Sequence, residues 1–353
     1  MKRLSEKEWS TETIGDAFSV SGTTTTHPSK LAANGSTPRI TCASVNNGLD
    51  NCYRNEPTEQ GGVLTVDSAT VGTVLFQPSD FIATDHVEKI SGDKAFSEAE
   101  GLFIKTCIDV SAAEKYQYGY KFSQNRIKRQ KLMLPVDDKG NPDYAYMKLY
   151  STEVRGGMLM RYKSFIAGQL SQLEHKDIPD LGEKEWGEFL LGDIFTVDAG
   201  KRLETRNKIE GNRPFIGATD NGNGVTGFVG NDNTSKDSNV LGVNYNGAPC
   251  IAFYHPYECI FTDDVKRLHL KNQEDNKFVL LFFTSIFAMQ RVKYSYGYKF
   301  KEKRMHRQKL MLPVTDTGKP DYKYMEQYAK NMMLKKYEQY LAFINRQTVT
   351  GEV

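Results

Sequence analysis

The sequence predicts an α+β protein made of two tandem β-rich domains separated by a pair of long antiparallel helices. Three features carry this expectation: an internal repeat, short turn-punctuated apolar segments in each copy, and a long helical stripe after each copy. At about 150 residues per domain, 353 residues suit two domains.

The repeat is unmistakable. Glu6-Lys7-Glu8-Trp9, Gly15-Asp16, Phe18 and Val20 recur as Glu183-Lys184-Glu185-Trp186, Gly192-Asp193, Phe195 and Val197. Tyr118-Gly119-Tyr120-Lys121-Phe122 recurs as Tyr296-Gly297-Tyr298-Lys299-Phe300, and Arg129 to Val136 as Arg307 to Val314. From Tyr116 to Met147, 22 of 32 positions are identical in the second copy. Between these anchors the copies diverge: Ser21 to Gln60 and Asp198 to Ser238 share little beyond Pro38/Pro214 and an Asn-Gly pair. Two similar scaffolds thus carry different inserts, as suits recognition of two different things in related geometry.

Each copy opens on short segments bounded by Gly, Asn, Asp and Pro, which read as strands and turns. These are Thr13 to Val20, Gly62 to Val66 and Gly72 to Phe76, then Asn239 to Asn244, Pro249 to Tyr254 and Glu258 to Thr262. Glu98 to Val110 and Lys277 to Gln290 are apolar and long enough to be buried helices, and Leu-Met-Leu-Pro-Val is a late strand. Apolar residues then recur every three or four positions from Met147 to Leu173 and from Met325 to Ile344, the spacing of amphipathic helices that need a partner. Gly156-Gly157 is costly inside a helix and is a local break point in the first of them. The expected division is 1–146, first β-rich domain; 147–182, central helix; 183–324, second β-rich domain; and 325–353, C-terminal helix and tail.

Composition excludes several classes. The chain is 39% hydrophobic and 25% charged, which is ordinary for a folded protein. It holds no apolar run of about 18 residues for a membrane span. The start, Met1 to Glu6, turns polar at once, so no signal peptide is expected. Five cysteines without a Cys-X-X-Cys pair fit a reducing, cytoplasmic setting. The six histidines do not coincide between copies, so no shared metal site is expected; His255 with Cys250 and Cys259 is the one tight Cys/His grouping. No phosphate-cradling GxxxxGK[ST] occurs. Asn141-Pro142-Asp143-Tyr144 lacks the second Pro of the Asn-Pro-Pro-Tyr loop of amino-methyltransferases, and its duplicate lacks the Asn. The chain reads as a binder without catalytic residues.

Charge is concentrated. The whole chain carries +2, yet Lys115 to Lys131 and Lys293 to Lys309 each carry +6, leaving −10 for the rest. Aromatics alternate with cations in both windows: Tyr118, Tyr120, Lys121, Arg126, Lys128, Arg129 and Lys131, then Tyr296, Tyr298, Lys299, Arg304, Arg307 and Lys309. Lys and Arg neutralise phosphates and release counterions, and Tyr hydroxyls add positioning contacts. The cations shared by both copies, Arg126, Arg129, Lys131, Arg304, Arg307 and Lys309, are expected to position phosphates. Base choice is expected from the unshared loops, Gly22 to Lys30, Arg39 to Asn55, Gly200 to Lys208 and Asn221 to Lys236, with Lys201, Arg202 and Arg206 as base-reading candidates. Phe122 and Phe300 read as core. The alternative is a tandem adaptor for a ligand other than nucleic acid.

With its two divergent β-rich domains, the Gly-Asp-Xaa-Phe-Xaa-Val segments (Gly15 to Val20, Gly192 to Val197) and the strand-Pro-helix junctions (Leu132 to Met147, Leu310 to Met325), the chain resembles the DNA-specificity subunits of type I restriction–modification systems, or the similar subunits of two-sided-cutting restriction systems. That resemblance implies two target-recognition domains, each reading half of a bipartite site on double-stranded DNA. It implies helices that act as a spacer and dock methyltransferase subunits, and through them a restriction subunit. S-adenosylmethionine, ATP and magnesium would belong to those partners, leaving this chain with no cofactor and no contact with membrane. A helix of about 27 residues spans roughly 40 Å at about 1.5 Å per residue. That approaches one DNA turn of roughly 34 Å, so the half-sites are expected on one face of the duplex. Transplanting one copy's unshared loops should change one half of the recognised site, as read by methylome sequencing; a change in both halves contradicts modularity.

Overall fold

The computed structural model describes residues 2–294 and 297–349, and the chain divides into two units, Met1–Tyr162 and Lys163–Val353. The first unit runs β1 (Trp9–Thr13), α1 (Ile14–Ala17), β2 (Ser19–Gly22), β3 (Thr37–Ile40), β4 (Leu49–Tyr53), β5 (Val63–Asp67), β6 (Val74–Gln77), β7 (Ile82–Ala83) and β8 (Val87–Ser91). It continues with α2 (Glu98–Ala112), α3 (Gln124–Arg129), β9 (Lys131–Pro135) and the start of α4 (Tyr144–Leu170). The second unit holds β10 (Trp186–Leu190), α5 (Leu191–Ile194), β11 (Phe195–Ala199), β12 (Arg213–Ile216), β13 (Val225–Val229), β14 (Val240–Asn244), β15 (Ala252–His255), β16 (Ile260–Phe261) and β17 (Val265–Leu270). There follow α6 (Lys277–Met289), α7 (Glu302–Arg307), β18 (Lys309–Pro313) and α8 (Tyr322–Val349).

Both units have the same topology. An antiparallel sheet ordered β2-β8-β5-β6 matches β11-β17-β14-β15, and a smaller sheet β4-β3-β7 matches β13-β12-β16. A two-stranded ribbon, β1 with β9 or β10 with β18, ties the unit's first strand to its last. The strand expected from Thr13 to Val20 is interrupted instead by α1, because Thr13 caps a helical turn by accepting from Asp16 N at 3.2 Å. In the first core Leu64, Val66, Phe76 and Ile90 of the large sheet meet Phe103, Ile104 and Ile108 of α2. The N-terminus of α2 is fixed by a reciprocal Ser97–Glu100 capping box. In the second core Phe195 packs edge-on to Phe283, 4.7 Å between centroids, and Phe282 meets Tyr328 of α8. Each such buried ring contributes about 2–3 kcal/mol of hydrophobic stabilisation.

Of the expected variable loops, Arg39 to Asn55 holds β4 and Asn221 to Lys236 holds β13, so these stretches are largely hairpins. Their turns are the Asn-Gly pairs, with left-handed φ of 51° and 73° at Asn47-Gly48 and 53° and 76° at Asn223-Gly224. Such φ values suit Asn and Gly, and the alternation that marks a strand is too short here to be read. Arg39 itself is buried, with its guanidinium on Asp50 at 2.8 Å.

The long helices begin earlier than their apolar stripes. Asp143 Oδ1 accepts from Tyr146 N at 2.9 Å while Lys7 holds the same carboxylate at 2.7 Å; Asp321 and Lys184 repeat this at Tyr324. α4 ends at Leu170 and not near 182, because the chain turns at Ser171 and 173–180 runs without helix beside α8. There Gln327, Asn331 and Tyr324 side chains donate to the carbonyls of Glu174, Lys176 and Pro179. Within the second unit Lys163 Nζ donates to Asn345 Oδ1 at 3.0 Å, near the far end of α8, so the last turns of α4 run antiparallel to it. The break expected at Gly156-Gly157 is absent. The pair costs about 1 kcal/mol per glycine, which a cooperative 27-residue helix absorbs. The stripe is not covered throughout: Met147 and Ile166 are buried, whereas Val154 and Met158 are exposed.

A feature of the second unit alone is His269 on β17. Its ring bonds Asp237 through Nε2 at 3.1 Å and Asp275 through Nδ1 at 2.6 Å, and these carboxylates hold the imidazolium up to about 9. The equivalent residue of the first unit is Ser91, which does not titrate. A folded-state value above the ordinary 6.5 means this contribution is complete below pH about 6.5 and lost as pH rises through about 9. Thermal unfolding of the chain should therefore show a loss on the order of 1 kcal/mol over that window, limited by partial exposure, and His269→Gln should flatten it.

Candidate nucleic-acid interface

The basic window of each copy folds into one short helix followed by a ribbon strand. α3 has a single fully buried residue, Ile127, so Lys128 and Arg129 face solvent. α7 repeats this with Met305 buried and His306 and Arg307 exposed. Lys128 has His306 as its counterpart, so only part of the charge is duplicated in place. Lys131 and Lys309 are exposed ends of β9 and β18; Lys309 is 2.7 Å from Glu188.

Close packing holds each helix in place. A Cβ on Gly15 would lie 3.0 Å from Lys128 O, and one on Gly192 would lie 3.0 Å from His306 O and 2.7 Å from its Nδ1. The repeated Gly-Asp turn is thus the seat of the basic helix. Gln124 donates to Glu88 at 2.9 Å in the first unit, while in the second Glu302 pairs with Lys266 at 2.7 Å. That lysine holds the Glu302 carboxyl below its usual range.

Before each helix the Tyr-rich motif builds an aromatic ladder. Phe122 is fully buried; Tyr116 stacks on it at 4.0 Å, and Tyr120 stacks on Tyr116 at 5.8 Å with an interplanar angle of 2°. The Arg126 guanidinium caps the ladder 3.9 Å above the Tyr120 ring, and its Nη1 donates to Lys121 O at 2.8 Å. In the second unit Phe300, Tyr294, Tyr298 and Arg304 reproduce this, at 4.6, 5.7 and 3.9 Å, with Arg304 Nη1 donating to Lys299 O at 2.7 Å. Tyr116 OH donates to Gln130 Oε1 at 2.9 Å and Tyr294 OH to Gln308 Oε1 at 2.6 Å. Burial pushes both phenols up, Tyr294 to about 12, so they remain donors.

The expected site residues therefore fall into groups. Tyr118, Tyr120, Lys121 and Arg126 are in mutual contact, with Lys121 Nζ 5.5 Å over the Tyr118 ring. Lys128, Arg129 and Lys131 follow on the adjoining helix and strand, and Tyr298, Lys299, Arg304, Arg307 and Lys309 occupy the same positions in the second unit. Tyr296 lies outside the described residues. Lys201, Arg202 and Arg206 are exposed in the segment after β11, and Arg206 pairs with Glu204 at 2.8 Å. The half-buried Tyr116 and Tyr294, aromatics of the basic windows, are positioning residues, and so are the buried Gln130 and Gln308, which the sequence reading did not single out as site residues. A polar Gln beside cations reads as surface, and only its recurrence in both copies was a signal.

Burial holds His255 down at about 4 and pushes Cys250 and Cys259 up to about 12, leaving these groups neutral and inert. Among the described residues no group of three or more His, Cys, Asp or Glu is set to hold a metal, and no helix is long and apolar enough to cross a membrane.

Two tandem α+β units with duplicated basic helices and diverged inserts define a DNA sequence-recognition protein. Residues 6–154 and 183–341 match the type I restriction modification DNA specificity domain, and the chain belongs to that family. It is a specificity subunit of a restriction–modification system that recognises DNA. The specificity subunit S.BcgI of the type II restriction enzyme BgcI of Heyndrickxia coagulans is 37% identical over 335 residues, covering 92% of this chain and 94% of that one. The specificity subunit of a type I restriction-modification system from M. genitalium shares the fold, with a TM-score of 0.52 at 16% identity over 99% of this chain and 96% of that one.

The glycine seat yields a direct test. Gly192→Ala should destabilise the second unit by about 1–2 kcal/mol through overpacking against His306, measured by thermal unfolding. Gly15→Ala, whose Cβ would lie equally close, 3.0 Å, to Lys128 O, should cost a similar amount.

Proposed function

We propose that each unit reads one half of a bipartite DNA site and that the chain has no catalytic residue of its own. The observation that carries this is the frame of ladder, basic helix and ribbon strand, built twice on the same stacked rings and arginines, while the hairpins differ in sequence. Lys121, Lys128, Arg129 and Lys131, with Lys299, Arg307 and Lys309, would neutralise phosphates, with no base preference. Lys201, Arg202 and Arg206, with the hairpin tips, would supply base contacts. The long helices would set the half-site spacing and dock methyltransferase subunits, through which a restriction subunit acts. S-adenosylmethionine, ATP and magnesium would be held by those partners. The high identity to a type II specificity subunit favours service in a system of that kind over a type I one.

Affinity for duplex DNA should fall steeply with salt. Arg129→Ala or Lys131→Ala should weaken all sequences about equally and reduce the log–log salt slope by about one. Anisotropy titrations at several salt concentrations read this directly. Salt-insensitive binding, or loss confined to one sequence, contradicts the assignment.

A further inference from the structure

The ladder is more elaborate than a phosphate patch needs. Arg126 has its guanidinium face on Tyr120 and one of its five N–H donors, on Nη1, on the Lys121 carbonyl. Arg304 is committed in the same way to Tyr298 and Lys299 O. What Arg126 holds is a tight turn: Gln117 N donates to Tyr120 O at 3.2 Å and Tyr120 N to Gln117 O at 2.8 Å, leaving Tyr118-Gly119 at the tip. Tyr118 is 78% exposed, and the Cβ position of Gly119 has open space around it. From the tip inward, Tyr120, Tyr116 and Phe122 form a stack of planar groups rooted in the core. The residues between the ladder and the arginine differ between copies, Ser123-Gln124-Asn125 against Lys301-Glu302-Lys303, while the stacked residues and the arginine are the same.

Resting on the DNA reading above, we propose that the Tyr118-Gly119-Tyr120 turn is a preformed DNA-contacting finger, and that Arg126 positions it in place of binding a phosphate; Tyr298 and Arg304 do the same in the second unit. A tyrosine on a rigid turn offers ring surface and a hydroxyl at small entropic cost, and a hydroxyl donates to phosphate or sugar oxygens. Arg suits the clamp because its plane stacks on a ring while its edge still donates; a Lys ammonium matches the charge but not the geometry. Lys121, whose ammonium sits over Tyr118, supplies charge beside the finger.

The test uses the full chain and the duplex that wild type selects from a random-sequence pool, with anisotropy titrations over a salt series. Arg126→Lys should bind about tenfold more weakly than wild type, as weakly as Arg126→Ala, with the salt slope unchanged in both. Tyr120→Phe, which keeps the ring, should bind like wild type, and Tyr120→Leu should reproduce the loss. Tyr118→Ala alters only an exposed side chain; it should keep the melting temperature and lose about tenfold in affinity. An Arg126→Lys chain that binds like wild type, with a slope lowered by about one in Arg126→Ala, would make Arg126 a phosphate ligand and overturn the clamp. Wild-type affinity in Tyr118→Ala would overturn the finger. A wild-type chain that selects no duplex fails the DNA reading itself, a result distinct from either.

Discussion

Each unit depends on one buried glutamine. Gln130 accepts from Tyr116 OH, donates from Nε2 to Ser111 O and Lys131 O, and through its own carbonyl accepts from Ile14 N. One side chain and its peptide therefore join the end of α2, the aromatic ladder, the helical turn after β1 and the start of β9. Gln308 does the same in the second unit, with Gln290 in place of the Ser111 carbonyl and Leu191 N in place of Ile14 N. A buried amide left without partners costs about 1–3 kcal/mol for each lost group, so this junction has a single favourable arrangement. The basic helix and the ladder are both anchored to it, which fixes the geometry of the exposed cations relative to the core.

Around that junction the duplicate units exchange side chains without losing complementarity. Glu59 pairs with Lys89 at 2.6 Å where Asp237 pairs with Arg267 at 2.8 Å. An amide–carboxylate bond from Gln124 to Glu88 stands where Glu302 meets Lys266. These partly buried contacts lie between the large sheet and the elements it supports, and a carboxylate or amide fits as long as its partner changes with it. The frame thus tolerates drift in individual charges between the two copies. On the proposed reading, two halves of one chain would then read different sequences on one scaffold.

Much of this architecture was legible in the sequence, because duplication turns weak local signals into paired ones. The long helices, the β9 and β18 strands, the α2 and α6 helices and the burial of Phe122 and Phe300 follow from period, length and recurrence. What escaped has a physical cause in each case. α3 is too short to show a period, since one buried Ile127 is its whole apolar face. α1 hides inside an alternating stretch because a Thr13 cap, and not hydrophobicity, starts it. The engagement of Arg126 is tertiary: the stacked Tyr120 lies six positions away, beyond helical reach, and composition cannot tell a stacked guanidinium from a free one.

The distribution of charge explains why so small a surface suffices to dock a polyanion. The two +6 windows stand against a remainder of −10, so on the proposed reading a duplex would be drawn to the ladders and short helices while the net charge of the rest opposes it. Repulsion of this kind acts within about 10 Å at ordinary salt, which is enough to disfavour misdocked approaches while leaving the specific contacts intact. A uniformly basic chain would gain affinity for any duplex in any orientation and would lose discrimination with it. On the proposed reading, confining the cations to a twice-built frame would let electrostatic attraction itself orient the DNA toward the hairpins of each unit.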